Sequence, residues 1–228
     1  EALLEALENE FSIIAADNTI RVVVLSGAGQ AFCAGHDLKE MRQTPDTAYY
    51  EMLFKQCSQV MLSMVALPQP IIARVHGTAT AAGCQLVANA DLAIASDAAR
   101  FAVSGINLGL FCSTPGVALS RNVPRKRSFE LLMTGRFINA ETAVEYGLIN
   151  QAVSNETLDQ AVSDLANEIA NKPESAVRLG KRLFYQQLGQ PLKEAYALAG
   201  ERMACNMGFP EAIEGIDAFI EKREPEWS

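Results

Sequence analysis

RVHGTATAAGCQLVANAD, Arg74 to Asp91, is the stretch on which the reading of this chain turns. The apolar, β-branched run Pro70 to Val75 predicts a strand ending at His76-Gly77. A small-residue turn follows at Ala79, Ala81, Ala82 and Gly83, and then a helical apolar pattern at Leu86, Val87 and Ala90. Small residues let another molecule approach the backbone closely, and a helix start leaves N–H groups unpaired. Such a turn can hold a developing negative charge on oxygen. Gly/Ala-rich strand-to-helix turns also arise from tight packing alone, so the turn by itself names no activity.

Toward the N-terminus, Leu3, Leu4, Leu7, Phe11 and Ile14 place a helix over about Ala2 to Ala15, broken by Asp17-Asn18. Ile20 to Ser26 is nearly all apolar, the pattern of a strand buried on both faces. After Gly27-Ala28-Gly29, Asp37 with Glu40 has the form of a capping box and opens a short helix. Thr47 to Ala66 is a long amphipathic helix closed by Leu67-Pro68. Toward the C-terminus, Leu92 to Ser96 and Arg100 to Val103 read as short strands. Strands alternating with helices indicate an α/β core of mostly parallel sheet, which we assign to residues 1–124.

Residues 125–228 form a mainly helical region, the helical pattern beginning near Thr114. Helices are expected near 116–121, 125–134, 140–146, 156–171, 173–188, 192–206 and 210–222, with one late strand at 149–153. Gly135, Gly147 and Gly189 sit where helix ends favour a left-handed residue. Pro173, Pro191 and Pro210 sit at or near helix starts, where a missing N–H costs little. A helical region of this length suits an oligomer interface.

Composition narrows the class. The 228 residues suffice for one substantial core, and a net charge of −8 argues against nucleic acid or an anionic membrane as main partner. Five widely spaced cysteines, with no pair at metal-ligand spacing, read as reduced thiols in a reducing compartment. No apolar run reaches membrane-spanning length and no targeting segment is visible; the expected compartment is the cytoplasm, or the mitochondrial matrix if a targeting segment preceded Glu1.

Four ordered motifs then add up to a resemblance: AFCAGHDL (31–38), HGTATAAGCQL (76–86), FAVSGINLGL (101–110) and FIEKREPEW (219–227). Together they are similar to the enoyl-CoA hydratase/isomerase (crotonase) superfamily over essentially the whole chain, apart from a first strand pair that would precede Glu1. The resemblance implies a crotonase-like ββα superhelix with a C-terminal helical trimerisation region, and a homotrimer or dimer of trimers. It implies an acyl-CoA thioester as substrate, with no cofactor beyond the coenzyme A the substrate carries and no metal. Its oxyanion hole would be the backbone amides of Ala34 and Ala82, and one such donor is typically worth about 10²–10³ in rate. Ala34, Gly35, His36, Asp37 and Leu38 would form the substrate-binding stretch, with Lys222 a further contact near coenzyme A.

The acid–base residues depart from the hydratase pattern. Two glutamates activate water in the hydratases this chain resembles; Gln85 and Gly105 occupy their positions here, and Ser113 stands near where some isomerases place a carboxylate. An amide can orient water without accepting its proton, and glycine has no side chain. The expected activity is thioester enolate stabilisation with poor hydration. A catalytically silent acyl-CoA-binding protein is one alternative. A hydrolase using Cys112 or Ser113 with His36 or His76 is another. His36 and Cys112 remain candidates for proton transfer beside a bound anion or water. Two basic clusters, Arg121/Arg125/Lys126/Arg127 and Lys222/Arg223, are candidates for phosphate contacts or solvated faces.

Overall fold

The computed structural model describes residues 1–227. Its first half runs α1 (Ala2–Ala16), β1 (Val23–Ser26), β2 (Ala31–Cys33), α2 (Leu38–Gln43), α3 (Thr47–Ala66), β3 (Ile71–Val75), β4 (Thr78–Thr80), α4 (Ala82–Asn89), β5 (Leu92–Ser96) and β6 (Arg100–Ala102). A 3-10 turn at Ser104–Leu108 leads to α5 (Ser113–Asn122), α6 (Arg125–Thr134), β7 (Ile138–Asn139), α7 (Ala140–Glu145) and β8 (Gln151–Val153). Another 3-10 turn, Asn155–Thr157, precedes α8 (Leu158–Ala170), α9 (Glu174–Leu188), α10 (Leu192–Met207) and α11 (Pro210–Glu221).

The strands divide into two sheets, ordered β1-β3-β5-β8 and β2-β4-β6-β7. Successive strands therefore alternate between sheets: β1 then β2, β3 then β4, β5 then β6, with helix following each pair. All pairings are parallel except β6 with β7. This is three turns of a ββα superhelix. On the first sheet Ile71, Ala73 and Val75 face the main core, while Ile72 and Ile94 pack with Leu158 and Val162 of α8. Strand alternation thus buries both faces of β3. The main core runs on past residue 124, through Leu131, Leu132 and Ile138 to Ile149, and β7 and β8 complete the two sheets.

Three sequence readings change. The strand expected over Ile20–Ser26 is shorter and lies at a sheet edge, and Val24 on its outer face is 43% exposed. The turn after His76 contains an unexpected strand, β4, whose three residues are too few to show a period. Gly135 (φ 59°) and Gly147 (φ 73°) are left-handed, but Gly189 ends its helix at φ −92°, whereas Lys222 closes α11 at φ 57°.

The C-terminal region is fastened by one buried network. Lys181 of α9, 8% exposed, donates to the carbonyls of Met64 (3.0 Å) and Gln69 (2.9 Å) and to Asp91 Oδ2 (2.7 Å). The same carboxylate accepts from the Ile71 N–H (2.6 Å) and the Tyr185 hydroxyl (2.7 Å). Asp91 therefore joins the starts of β3 and β5 to α9. Burial drives the Lys181 pKa down and its carboxylate partner opposes this. Removing one member of a buried ion pair strands the other, at a cost of about 3–5 kcal/mol. Lys181→Met should accordingly lower unfolding stability by that order in urea titrations, and Tyr185→Phe by about 1 kcal/mol, one hydrogen bond.

At the far C-terminus Glu214 accepts from both terminal nitrogens of Arg223 (2.6 and 2.9 Å) and from the Glu226 N–H (2.8 Å). The ring of Trp227, the sole tryptophan, lies against Gly215. Hydrogen bonds from Arg223, then from Glu226, pull the Glu214 pKa from 4.5 to about 2. A depressed carboxyl pKa contributes stability above the unfolded value and loses it as pH falls toward the folded one. Trp227 emission should shift to the red between about pH 4.5 and pH 2, and Glu214→Gln should show that released emission already at neutral pH.

Candidate functional site

β2 and β4 are neighbouring parallel strands, with Ala31 opposite Thr78 and Cys33 opposite Ala79. Their C-terminal ends, where parallel α/β folds place ligands, therefore open side by side. After β2 the chain passes through left-handed Gly35 (φ 94°) to Asp37, the N-cap of α2. After β4 it passes through Ala81, at φ 51° and ψ −119°, into α4. The two turns touch through missing side chains. A Cβ on Gly83 would sit 2.0 Å from the Cys33 carbonyl oxygen, and one on Gly35 would sit 3.3 Å from the Ala82 nitrogen. Ala82, the first residue of α4, has an N–H with no acceptor among the described residues, as expected at a helix start.

Against these turns lies a cleft of about 310 Å³. Gly35, His36, Asp37 and Ala82 line one part, while Leu4, Leu53, Met61 and Leu86 give it an apolar wall. Ala34 is exposed and does not line the cleft; His36, two residues on, does. The His36 ring meets Phe54 edge-on, with centroids 5.5 Å apart, and its Nε2 is buried without a hydrogen-bond partner. Burial lowers the His36 pKa below its ordinary 6.5.

Asp37 works as a cap: Oδ1 accepts from the N–H groups of Lys39 (2.8 Å) and Glu40 (3.3 Å). Its proposed box partner Glu40 supplies its N–H to this cap, but its carboxylate makes no hydrogen bond back to the Asp37 N–H. Leu38 is 46% exposed at the start of α2, and Lys222, exposed beyond α11, is not part of the cleft wall. Gln85 lies one helical turn into α4, 4% exposed, with Oε1 unpaired.

Gly105, second in its 3-10 turn, donates its N–H to Cys112 Sγ (3.3 Å), and Leu110 N–H returns to the Gly105 carbonyl (3.0 Å). A Cβ at 105 would meet both Cys112 Sγ and the Leu110 carbonyl oxygen at 2.8 Å. The hydrolase arrangement is not formed. Ser113 Oγ donates to the Phe111 carbonyl, Cys112 Sγ is engaged by Gly105, and His76 Nε2 is bonded to the Gly29 carbonyl (3.0 Å). Of the first basic cluster, Arg127 is occupied by Glu130, Glu145 and the ring of Tyr146.

Sequence reasoning missed the bracing of His36, in the turn before α2, by Phe54 of α3, eighteen positions away. It also missed a hydroxyl pair, Thr80 Oγ1 with Ser104 Oγ at 3.0 Å, joining the residues just before Ala81 and Gly105. No sequence signal marks either contact. The strain at Ala81 costs a non-glycine residue about 1–3 kcal/mol. Ala81→Gly should therefore raise the unfolding free energy measured in urea titrations by a net of about 1 kcal/mol. Gly83→Ala and Gly105→Ala should instead lower stability, the former severely because its new methyl meets backbone.

Comparison with known proteins identifies the family and the fold. The sequence model of the enoyl-CoA hydratase/isomerase family matches residues 1–228. Enoyl-CoA hydratase domain-containing protein 3, mitochondrial, of Rattus norvegicus is 46% identical over 227 residues, which cover 100% of this chain and 76% of that protein. The crystal structure of an enoyl-CoA hydratase from Mycobacterium smegmatis superposes with a TM-score of 0.98 at 57% identity, covering 99% of this chain and 88% of that one. The human domain-containing protein 3 superposes at TM-score 0.95 and 44% identity, covering 99% and 89%.

Proposed function

The chain belongs to the enoyl-CoA hydratase/isomerase family and has the crotonase fold, and from that premise we propose that the cleft binds an acyl-CoA thioester and polarises its carbonyl. The observation that carries this reading is the open N–H of Ala82 at a cleft that the Gly35–Asp37 turn also lines. The sequence pairs Ala82 with Ala34. The cleft favours the amide of His36 as the second donor, because His36 lines it and Ala34 does not. Two N–H donors and a helix start together stabilise an enolate oxygen. The apolar wall of Leu4, Leu53, Met61 and Leu86 suits the acyl chain.

Efficient hydration is not part of this proposal. Gln85 offers an amide, and Gly105 is packed too tightly for a carboxylate to be placed there without moving Leu110 to Cys112. A silent acyl-CoA binder differs from the enzyme only in turnover. Free cysteines fit a reducing compartment: the cytoplasm, or the mitochondrial setting named for the vertebrate relatives. Among the described residues no helix is long and apolar enough to cross a membrane. We also propose self-association, as a trimer or dimer of trimers, because α10 and α11 present Leu192 (74% exposed), Phe219 (85%) and Ile220 (70%).

Calorimetry with a saturated acyl-CoA and with the matching alkyl thioether, which lacks the carbonyl oxygen, tests the oxyanion role. The thioester should bind about tenfold more tightly, two modest hydrogen bonds' worth. Equal affinities would remove the role. Crotonyl-CoA should be hydrated slowly, and brisk hydration by the natural chain would show that two glutamates are dispensable here.

A further inference from the structure

Where the Ala82 N–H points is set by Ala81. That N–H shares a peptide plane with the Ala81 carbonyl, and the torsion that turns the plane is the Ala81 ψ of −119°. The Ala81 carbonyl accepts the Gln85 N–H (3.0 Å), so its oxygen lies along α4 and the Ala82 N–H points back out of the helix start. Dihedrals such as φ 51° and ψ −119° persist in an alanine only where the surroundings over-determine them. The Ala81 N–H donates to the Ala102 carbonyl (3.0 Å), just past the β4–β6 ladder in which Thr80 stands opposite Ala102. Gly35 packs against the same turn: a Cβ there would lie 3.0 Å from the Ala81 Cβ and 3.4 Å from the Thr80 carbonyl oxygen. Beyond Ala102 the two chains part, one into α4 and the other into the 3-10 turn at Ser104. There Thr80 Oγ1 and Ser104 Oγ, diagonal neighbours across the ladder, are joined at 3.0 Å in a half-buried position.

We propose that Thr80 and Ser104 are positioning residues, whose hydroxyl pair holds the Ala81 turn in its strained form and so aims the Ala82 N–H at the thioester carbonyl oxygen. The assignment rests on the thioester-binding reading above. Neither side chain lines the cleft, whereas Ala82 does, so their effect passes through the Ala81 torsions. Without the pair, Ala81 relaxes toward the common regions of the backbone map and the 81–82 peptide turns with it. Hydrogen bonds weaken steeply with angle, so a modest turn of that plane takes the donor out of line with the oxygen. A bond that served only to fasten β4 to the 3-10 turn would stabilise the fold without changing how much the ligand's carbonyl matters.

The test takes the ratio of calorimetric affinities for a saturated acyl-CoA and its alkyl thioether. In the natural chain this ratio should be about ten, from two donors. Thr80→Val and Ser104→Ala should each lower it to about three, one donor's worth, while thioether affinity changes by less than about twofold. Thr80→Ser keeps the hydroxyl and should keep the natural ratio. The double variant should be no worse than either single one, because both substitutions remove the same bond. With a ¹³C-labelled thioester carbonyl, the infrared stretch of the bound ligand should rise in Thr80→Val and Ser104→Ala, as a carbonyl's does when it loses a donor. A natural ratio retained by both variants would overturn the assignment. So would equal losses for the two ligands, or Thr80→Ser behaving like Thr80→Val. Ser104→Ala carries the test if Thr80→Val does not fold. Equal affinities in the natural chain would remove the thioester reading, and this assignment with it.

Discussion

The close backbone contact between residues 30–35 and 77–83 is the constraint on which the site depends. Two glycines make it: a Cβ on Gly77 would lie 2.5 Å from the Gln30 carbonyl oxygen, and one on Gly83 2.0 Å from that of Cys33. Each is a place where only hydrogen fits. Neighbouring parallel strands normally keep their connections apart by side-chain width, and removing the side chains lets the two turns lie backbone against backbone. Two turns at that spacing can offer N–H groups to one small oxygen. The strained Ala81 is part of the same arrangement, since its unusual dihedral angles turn the chain sharply from β4 into α4.

Geometry that depends on such contacts needs a rigid frame, and the Asp91 network supplies one anchor of it. Asp91 ends the same stretch that carries Ala82, takes hydrogen bonds from the start of β3, and receives Lys181 and Tyr185 from a helix about ninety residues later in the chain. The C-terminal helices are therefore held to the α/β layers by a buried charge pair as well as by apolar contact. Gln69 extends the anchor to the end of α1 through the carbonyls of Ile14 (2.9 Å) and Asp17 (3.0 Å). Buried polar links of this kind specify one arrangement more than they add stability.

Much of this was legible in the residues, and the gaps have physical causes. Long amphipathic helices such as Thr47–Ala66 and Arg125–Thr134 match their predicted limits because periodicity accumulates over several turns. The three-residue strand β4 did not show, being shorter than two periods of its own alternation. Ile20–Ser26 looked doubly buried since its composition is apolar, yet burial depends on having neighbours on each side, and β1 is an edge. Asp91 and Lys181 gave no signal because an ion pair ninety residues apart has no local pattern. In the site, the motifs fall on the two turns that line the cleft, but the left-handed Gly35 between Ala34 and His36 is a single torsion that composition does not reveal.

Gly105 shows how the structure alters the meaning of a sequence departure. Read from the motif alone, it is a carboxylate replaced by nothing, which a single substitution would restore. In the fold it is a packing position, closed by the Leu110 carbonyl and the Cys112 thiol, whose sulfur also accepts the Gly105 N–H. The segment after it has been drawn into the space a side chain would need. The position that carries a carboxylate in the family pattern is here closed to any side chain. Gln85 differs in keeping a side chain. Its buried, unpaired Oε1 can accept a hydrogen bond but no proton.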